Sequence, residues 1–182
     1  MKCFKCSQEA KVNYPNGDLC ADCFLDVLYK RVKKEIRTEH PFKKNENVLV
    51  FSKLAKVFLE KAIENLPLHI TEAKEKYGQD IFGKDFSEYD KVVIPWTADD
   101  EANIFFEELS IQSPDFKKLG HTQKIIKIFK PLLDKEVAQA AHMLNLEFET
   151  APKHKLIETI HKKYPSALFG LENAATEFKK AL

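Results

Sequence analysis

Hydrophobic positions along this chain change period several times, and the changes mark out its elements. From Ala21 to Arg37, the residues Phe24, Val27, Leu28 and Val32 recur near helical spacing among charged neighbours, which predicts an amphipathic helix. Val48-Leu49-Val50-Phe51 is a continuous apolar run, the look of a strand buried on both faces of a parallel sheet. After Ser52 the helical period returns through Leu54, Val57, Phe58, Ala62 and Leu66. Pro67-Leu68-His69-Ile70 predicts a short second strand, and Thr71 to Tyr77 a short polar helix or a loop. Gly78, Gly83 and Asp85 mark a loop before Lys91-Val92-Val93-Ile94, a third strand. Thr97 and Asp100 have capping-box spacing at the start of a helix that carries Ile104, Phe105 and Leu109 inward.

Ser113-Pro114-Asp115 reads as a loop, and Ile125 to Phe129 as a fourth strand ended by Pro131. Asp134 to Leu144 is amphipathic through Val137, Ala140, Ala141 and Leu144. Leu146-Glu147-Phe148 reads as a brief fifth strand. Two closing helices, near His154–Lys163 and Ser166–Lys180, are separated by Tyr164-Pro165. Strands alternating with helices predict an α/β fold, a small open and mostly parallel sheet flanked by helices. Its ligand crevice belongs at the carboxyl ends of the strands.

Cysteine placement changes the picture at the N-terminus. All four cysteines fall in Cys3-Phe4-Lys5-Cys6 and Cys20-Ala21-Asp22-Cys23, two Cys-x-x-Cys pairs with thirteen residues between them. Each such turn aims two thiolates at one point, and two turns complete a tetrahedral four-sulfur shell. Val12 and Tyr14 suit a short strand, and Pro15-Asn16-Gly17-Asp18 a tight turn, so the segment reads as a zinc ribbon. Two disulfides, free thiols or an iron–sulfur cluster are the alternatives. The absence of an apolar signal region argues against disulfides, and the paired spacing is the zinc pattern. The chain thus divides into 1–24, a zinc ribbon; 25–45, a basic helix and linker; and 46–182, the α/β domain.

With 182 residues, 44% hydrophobic and 31% charged, the chain has the composition of a soluble globule, and no run approaches a membrane span. A cytoplasmic location follows. The net charge of +1 hides an uneven distribution: Lys30, Arg31, Lys33, Lys34, Arg37, Lys43 and Lys44 face only Glu35 and Glu39. This stripe reads either as a solvated helix face or as a phosphate-binding surface beside the zinc module. Aromatic residues for base stacking are sparse along it, apart from Tyr29.

The junction after the first strand, Ser52-Lys53-Leu54-Ala55-Lys56, is where nucleotide-binding α/β proteins hold phosphate on glycine N–H groups. It contains no glycine, so the side chains crowd the space a pyrophosphate needs. Asp99, Asp100 and Glu101 suit a helix start and its dipole; they would hold magnesium only with nucleotide phosphates to share it. No cysteine remains outside the metal set, the histidines form no ligand pattern, and no nucleophile elbow appears. No active site emerges from the residues themselves.

In order along the chain, these features resemble the PP-loop tRNA thiolation proteins. The resemblance lies in the Cys-x-x-Cys…Cys-x-x-Cys-Phe module, the basic helix, the Val-Leu-Val-Phe-Ser strand and Asp99-Asp100-Glu101-Ala102. Lys130-Pro131-Leu132 with Lys135-Glu136-Val137-Ala138, and His161-Lys162-Lys163-Tyr164-Pro165, are similar to later family segments. Catalytic members carry Ser-Gly-Gly-x-Asp-Ser after the first strand, which binds ATP, and core cysteines that deliver sulfur. This chain keeps Ser52 alone of the first motif and has none of those cysteines. It is therefore most similar to the non-catalytic branch, the cytoplasmic tRNA 2-thiolation protein 2 family, with a degenerate PP-loop (adenine nucleotide alpha hydrolase-like) fold.

The resemblance implies structural Zn2+ on Cys3, Cys6, Cys20 and Cys23, and tRNA on the basic stripe. It implies a vestigial nucleotide site at Ser52, Lys53, Asp99 and Asp100, with no ATP expected. As partners it implies a catalytic PP-loop paralogue, tRNA and a ubiquitin-like sulfur carrier, and no membrane. The implied role is accessory, in 2-thiolation of the tRNA wobble uridine. A stand-alone zinc-dependent RNA binder and an ATP-using tRNA-modifying enzyme with an unorthodox site are the rivals.

Overall fold

In the computed structural model the described residues are 1–39, 42–75, 77, 79–110, 124–164, 167, 169–171, 173, 174 and 177. The elements are α1 (Ala21–Glu39), β1 (Asn47–Val50), α2 (Lys53–Ala62), β2 (His69–Glu72), β3 (Lys91–Thr97), α3 (Ala98–Leu109), β4 (Ile125–Phe129), α4 (Asp134–Leu144) and α5 (Lys155–Lys163), with one 3-10 turn at Gln79–Gly83. The four strands form one sheet in the order β2-β1-β3-β4, and each neighbouring pair is parallel. The expected α/β architecture is what the chain adopts.

Alternation along β1 divides the sheet's two faces. Val48 and Val50 join a core cluster with α1, α2 and α4, through Leu28, Val32, Phe58, Leu59, Val137 and Ala140. Leu49 and Phe51 point the other way, to a second cluster with Val92, Ile94, Trp96, Ile104 and Phe105. A strand covered on both faces has no polar position to spare, which is why it reads as an unbroken apolar run.

Several boundaries differ from the sequence expectation. The helix containing Leu54 stops at Ala62, so Leu66 lies beyond it. Thr71 and Glu72 extend β2 by register with Leu49 and Val50, in place of a polar helix or loop. β3 runs on through Pro95 to Thr97, where its register with β4 shifts between Ile94 and Thr97. A proline without an N–H is tolerated in a strand at such an irregularity.

The expected fifth strand at Leu146–Phe148 does not form. Asn145 adopts a left-handed conformation (φ 54°) that ends α4, and Leu146 N–H donates to Ala141 O at 2.9 Å. That turns the chain away from the sheet edge, and Phe148 packs edge-on against Phe129 instead of pairing with it. The expected loop at Ser113–Asp115 lies outside the described residues, as does most of the second closing helix at Ser166–Lys180.

One buried ion pair sits inside the second cluster. Lys127, in the middle of β4, is 1% exposed, and its Nζ lies 2.5 Å from Glu101 Oε2. Trp96 Nε1 donates to the same oxygen at 2.9 Å, and the ammonium lies 4.4 Å from the Trp96 ring. A buried charge is tolerable only with its partner in place. Replacing Lys127 alone (Lys127→Met) is expected to cost about 3–5 kcal/mol, because Glu101 loses its buried counter-charge. The double change Lys127→Met with Glu101→Gln should recover much of that loss. Urea denaturation of the three proteins measures it, and equal losses in the single and double variants would contradict the assignment.

Candidate functional site

The N-terminal module is built by two short turns and a hairpin. Cys3 N–H donates to Gln8 O at 2.7 Å and Ser7 N–H to Cys3 O at 3.0 Å, closing the first knuckle. Ser7 takes a positive φ of 64° to complete it. Val12 and Leu19 pair as an antiparallel bridge, and Gly17 N–H donates to Tyr14 O across the turn. Cys20 and Cys23 fall at the start of α1, where Cys23 N–H donates to Cys20 Sγ at 3.4 Å.

These turns bring all four thiols together. The Sγ atoms of Cys3, Cys6, Cys20 and Cys23 lie within 4.8 Å of one another, and Cys6 and Cys20 approach to 3.5 Å. A tetrahedral ion with metal–sulfur bonds of about 2.3 Å sets its sulfurs about 3.8 Å apart, close to this spacing. A four-iron cluster puts a different iron under each thiolate and spreads its ligands further. The donor set therefore fits a single thiophilic ion, whose contribution would be structural.

Proton affinities within the set express the same crowding. Bonds to its neighbouring thiols, Cys6 first, together with burial, push the Cys23 thiol up to about 12. Burial also raises Cys3, but backbone hydrogen bonds at Cys20, Lys5 and Cys6 outweigh it and hold that thiol at about 6. Four thiolates become compatible only around a cation.

The module is anchored on the α/β core. Tyr14 Oη donates to Glu136 Oε1 at 3.0 Å, and Arg31 Nη1 donates to the same oxygen at 2.6 Å. The Arg31 guanidinium also bonds Pro131 O and lies 5.1 Å from the Phe169 ring. Arg31 is thus turned inward, away from the stripe in which the sequence placed it. Lys30 pairs with Asp26 at 2.8 Å and Lys33 with Glu64 at 3.6 Å. Lys34, Arg37, Lys43 and Lys44 are exposed and have no side-chain partner among the described residues. Four of the seven expected cations are therefore free on the surface.

The carboxyl edge of the sheet has the topology of a ligand crevice. β1 has β2 on one side and β3 on the other, with α2 and α3 on opposite faces, so the strand order reverses there. The protein fills that place with its own groups. Ser52 caps α2, its Oγ accepting from Ala55 N–H at 3.3 Å, while Leu54 and Ala55 are wholly buried. Lys53 is exposed, and Lys56 pairs with Glu72 at 2.8 Å.

At the start of α3 the expected capping box is present. Asp100 N–H donates to Thr97 Oγ1 at 3.3 Å, and Asp100 Oδ2 accepts from Thr97 N–H at 2.9 Å. Asp99, buried, accepts from Asp134 N–H at 2.8 Å, and Thr97 Oγ1 donates to Asp134 Oδ1 at 2.6 Å. Lys153 then reaches in from the segment before α5, bonding Asp100 and lying 3.4 Å from Asp134 Oδ2. Asp99 and Asp100 are thereby committed to caps and an internal cation. Beside them Tyr77, Trp96, Asp100, Asn103, Ala151 and Pro152 line a cavity of about 260 Å³. That is below the usual range of ligand pockets, about 300–1,000 Å³.

Sequence reasoning did not single out Lys153 or Lys127, since nothing local marks a lysine as internal, and it read Glu101 as one of three acids suiting a helix start, where the fold buries it against Lys127. It also passed over Phe4. An aromatic between two inward-facing cysteines must point outward, and that signal was available.

No protein-family model matches this chain, and no curated protein matches it. Among solved structures the chain is similar to the U34-tRNA thiolase NcsA from Methanococcus maripaludis with its [4Fe-4S] cluster. The TM-score is 0.66 at 15% identity, and the match covers 100% of this chain and 88% of that one. The two share a fold.

Two outcomes are expected. Metal analysis of the purified chain should return one ion per chain, and Cys20→Ser should abolish it and cost on the order of 4 kcal/mol or more. A metal-free, equally stable wild type would refute the centre. The second concerns Asp134, whose pKa burial raises to about 6, with Asp99 and Asp100 adding to the rise and Lys153 opposing it. An acid raised on folding binds its proton better in the native state, so its ionisation destabilises the fold as pH rises from about 4 through 6. Asp134→Asn cannot ionise, so its stability relative to wild type should improve from pH 4 to pH 7, by about 1–3 kcal/mol. Urea midpoints that stay parallel across that range would contradict it.

Proposed function

We propose that this chain is a non-catalytic subunit for 2-thiolation of the wobble uridine in tRNA, with Zn2+ as the structural ion on Cys3, Cys6, Cys20 and Cys23. It binds tRNA and positions it for a catalytic PP-loop paralogue. One observation carries the reading. The fold of a U34-tRNA thiolase spans the whole chain, yet all four cysteines sit in the N-terminal cluster and leave no thiol at the carboxyl edge of the sheet. Sulfur transfer to a base needs a sulfur carrier at the reacting atoms, and this chain has none to offer there.

Three further features support the accessory role. The turn after β1 is occupied by the Ser52 cap and buried Leu54, where a phosphate would need open backbone N–H groups. Asp99 and Asp100 are engaged by Asp134, Thr97 and Lys153. The exposed cations Lys34, Arg37, Lys43 and Lys44 suit phosphate contacts, whose affinity comes from counterion release. A ubiquitin-like sulfur carrier would act on the paralogue within the same assembly, and the assembly would work in the cytoplasm.

Charge reversal of Lys34, Arg37, Lys43 and Lys44 tests the tRNA half of this reading. Filter binding across a salt series should show weaker affinity and a shallower slope of log K against log salt, by about 0.7–0.9 per lost phosphate contact. Unchanged affinity and slope would overturn the stripe as the tRNA surface. Co-purification of the wild type tests the other half: tRNA without a PP-loop paralogue would make it a stand-alone RNA binder.

A further inference from the structure

Beside the capped helix starts, the carboxyl edge of the sheet keeps an open space. Tyr77, Pro95, Trp96, Asp100, Ile104 and the segment 149–152 bound a cavity of about 260 Å³. That is the liquid volume of about eight or nine waters, room for a small ligand. Its walls are fixed in place. Trp96, at 2% exposure, belongs to β3, and the Tyr77 ring meets it edge-on with centroids 6.3 Å apart. The segment 149–152 has no regular structure, but it is pinned directly after its end. Lys153 bonds Asp100, and His154 N–H donates to Asn103 Oδ1 at 2.5 Å.

The lining is rich in acceptors. Asp100 and Glu149 bring carboxylates, which accept hydrogen bonds and donate none when ionised. Among the described residues no lysine or arginine lines the space. Tyr77 adds a hydroxyl that has no hydrogen-bond partner among the described residues. Burial, with Asp100 and Glu101 adding, pushes its pKa up, so it stays neutral. An anion would meet two like charges here, and an alcohol has one proton to offer. An ammonium group donates up to three times and accepts nothing, and aromatic neighbours favour its charge. The chain already places ammonium groups next to these same residues. Lys153 bonds Asp100 and lies 3.4 Å from Asp134; burial works against its charge, yet those carboxylates hold its pKa above the ordinary lysine value. The Lys127 ammonium lies 4.4 Å from the Trp96 ring.

We propose that this cavity binds a small organic ammonium ion. Its N–H groups donate to Asp100, Glu149 and the Tyr77 hydroxyl, and its carbon skeleton lies against Trp96, Ile104 and Pro152. The site goes beyond the tRNA-binding reading and is independent of it, since none of its residues belongs to the basic stripe.

The test uses the full-length chain and its single tryptophan, Trp96, whose emission reports what enters the cavity. n-Butylammonium chloride, titrated near neutral pH with ionic strength held by potassium chloride, should shift that emission saturably, with half-saturation at about 1 mM or below. 1-Butanol should need at least about ten times more, and butyrate should give no response. Tyr77→Phe and Glu149→Gln should each weaken butylammonium about three-fold or more. Ala151→Phe, which fills the space without removing a charge, should abolish the response while circular dichroism stays that of the wild type. If that variant does not fold, Tyr77→Phe and Glu149→Gln decide, and unchanged affinity in both refutes the site. Butanol as effective as butylammonium would make this an apolar cavity with no preference for charge. An equal response to potassium or magnesium would make it an inorganic cation site. A folded Ala151→Phe that responds like the wild type would place the amine elsewhere. Each of these results overturns the proposal, as does silence in both emission and calorimetry, and none of them touches the tRNA reading.

Discussion

Four sulfurs confined within 4.8 Å would repel one another as thiolates, and a cation at their centre would let them stay there. Much else hangs on that constraint. Cys3, Val12, Leu19 and Cys20 belong to the same apolar cluster as Phe24, Leu28, Val32 and Phe129. The four-cysteine module therefore forms one wall of the main core. Tyr14 and Arg31 converge on Glu136, so the hairpin of the module, the first helix and the fourth helix meet on one carboxylate.

The carboxyl edge of the sheet has the topology of a crevice, and the chain's own side chains cap helices that start there. Ser52 satisfies the start of α2, and Thr97 with Asp100 satisfies the start of α3. Lys153 places an ammonium against Asp100 and Asp134, where a nucleotide-bound cation would otherwise balance such charge. Each helix terminus that could have served an external anion is served internally. The likeness to a thiolase at 15% identity is one of backbone.

Periodicity and spacing exposed four strands, the helices and the clustering of the four cysteines. The apolar run of β1, the amphipathic α4 and the Thr97–Asp100 cap were all legible, because local sequence determines them. The limits of β2 and the absence of a strand at Leu146–Phe148 were not. Pairing register and a left-handed Asn145 decide those, and both depend on neighbours distant in sequence or on one backbone torsion. The basic stripe was legible as charge but not as availability. Arg31 lies on the same helix as Lys34, and only the fold reveals that Glu136 waits for one and that, among the described residues, no side chain waits for the other. Lys127 shows the converse, a charge in the interior that alternation alone would place in solvent.

The strand order has a consequence for how the chain assembles. β1 is interior to the sheet, yet one neighbour comes from His69–Glu72 and the other from Lys91–Thr97. As the polypeptide is made, β1 is the first strand to emerge and waits some forty residues for its second flank, and such non-local pairing is intrinsically slow. During that interval Val48, Leu49 and Val50 present a bare edge to any other strand nearby. Prompt docking of α1 and α2 over one face shields half of it. The nascent chain's vulnerability to self-association is thus concentrated in a short window of synthesis, between the completion of β1 and the arrival of β3.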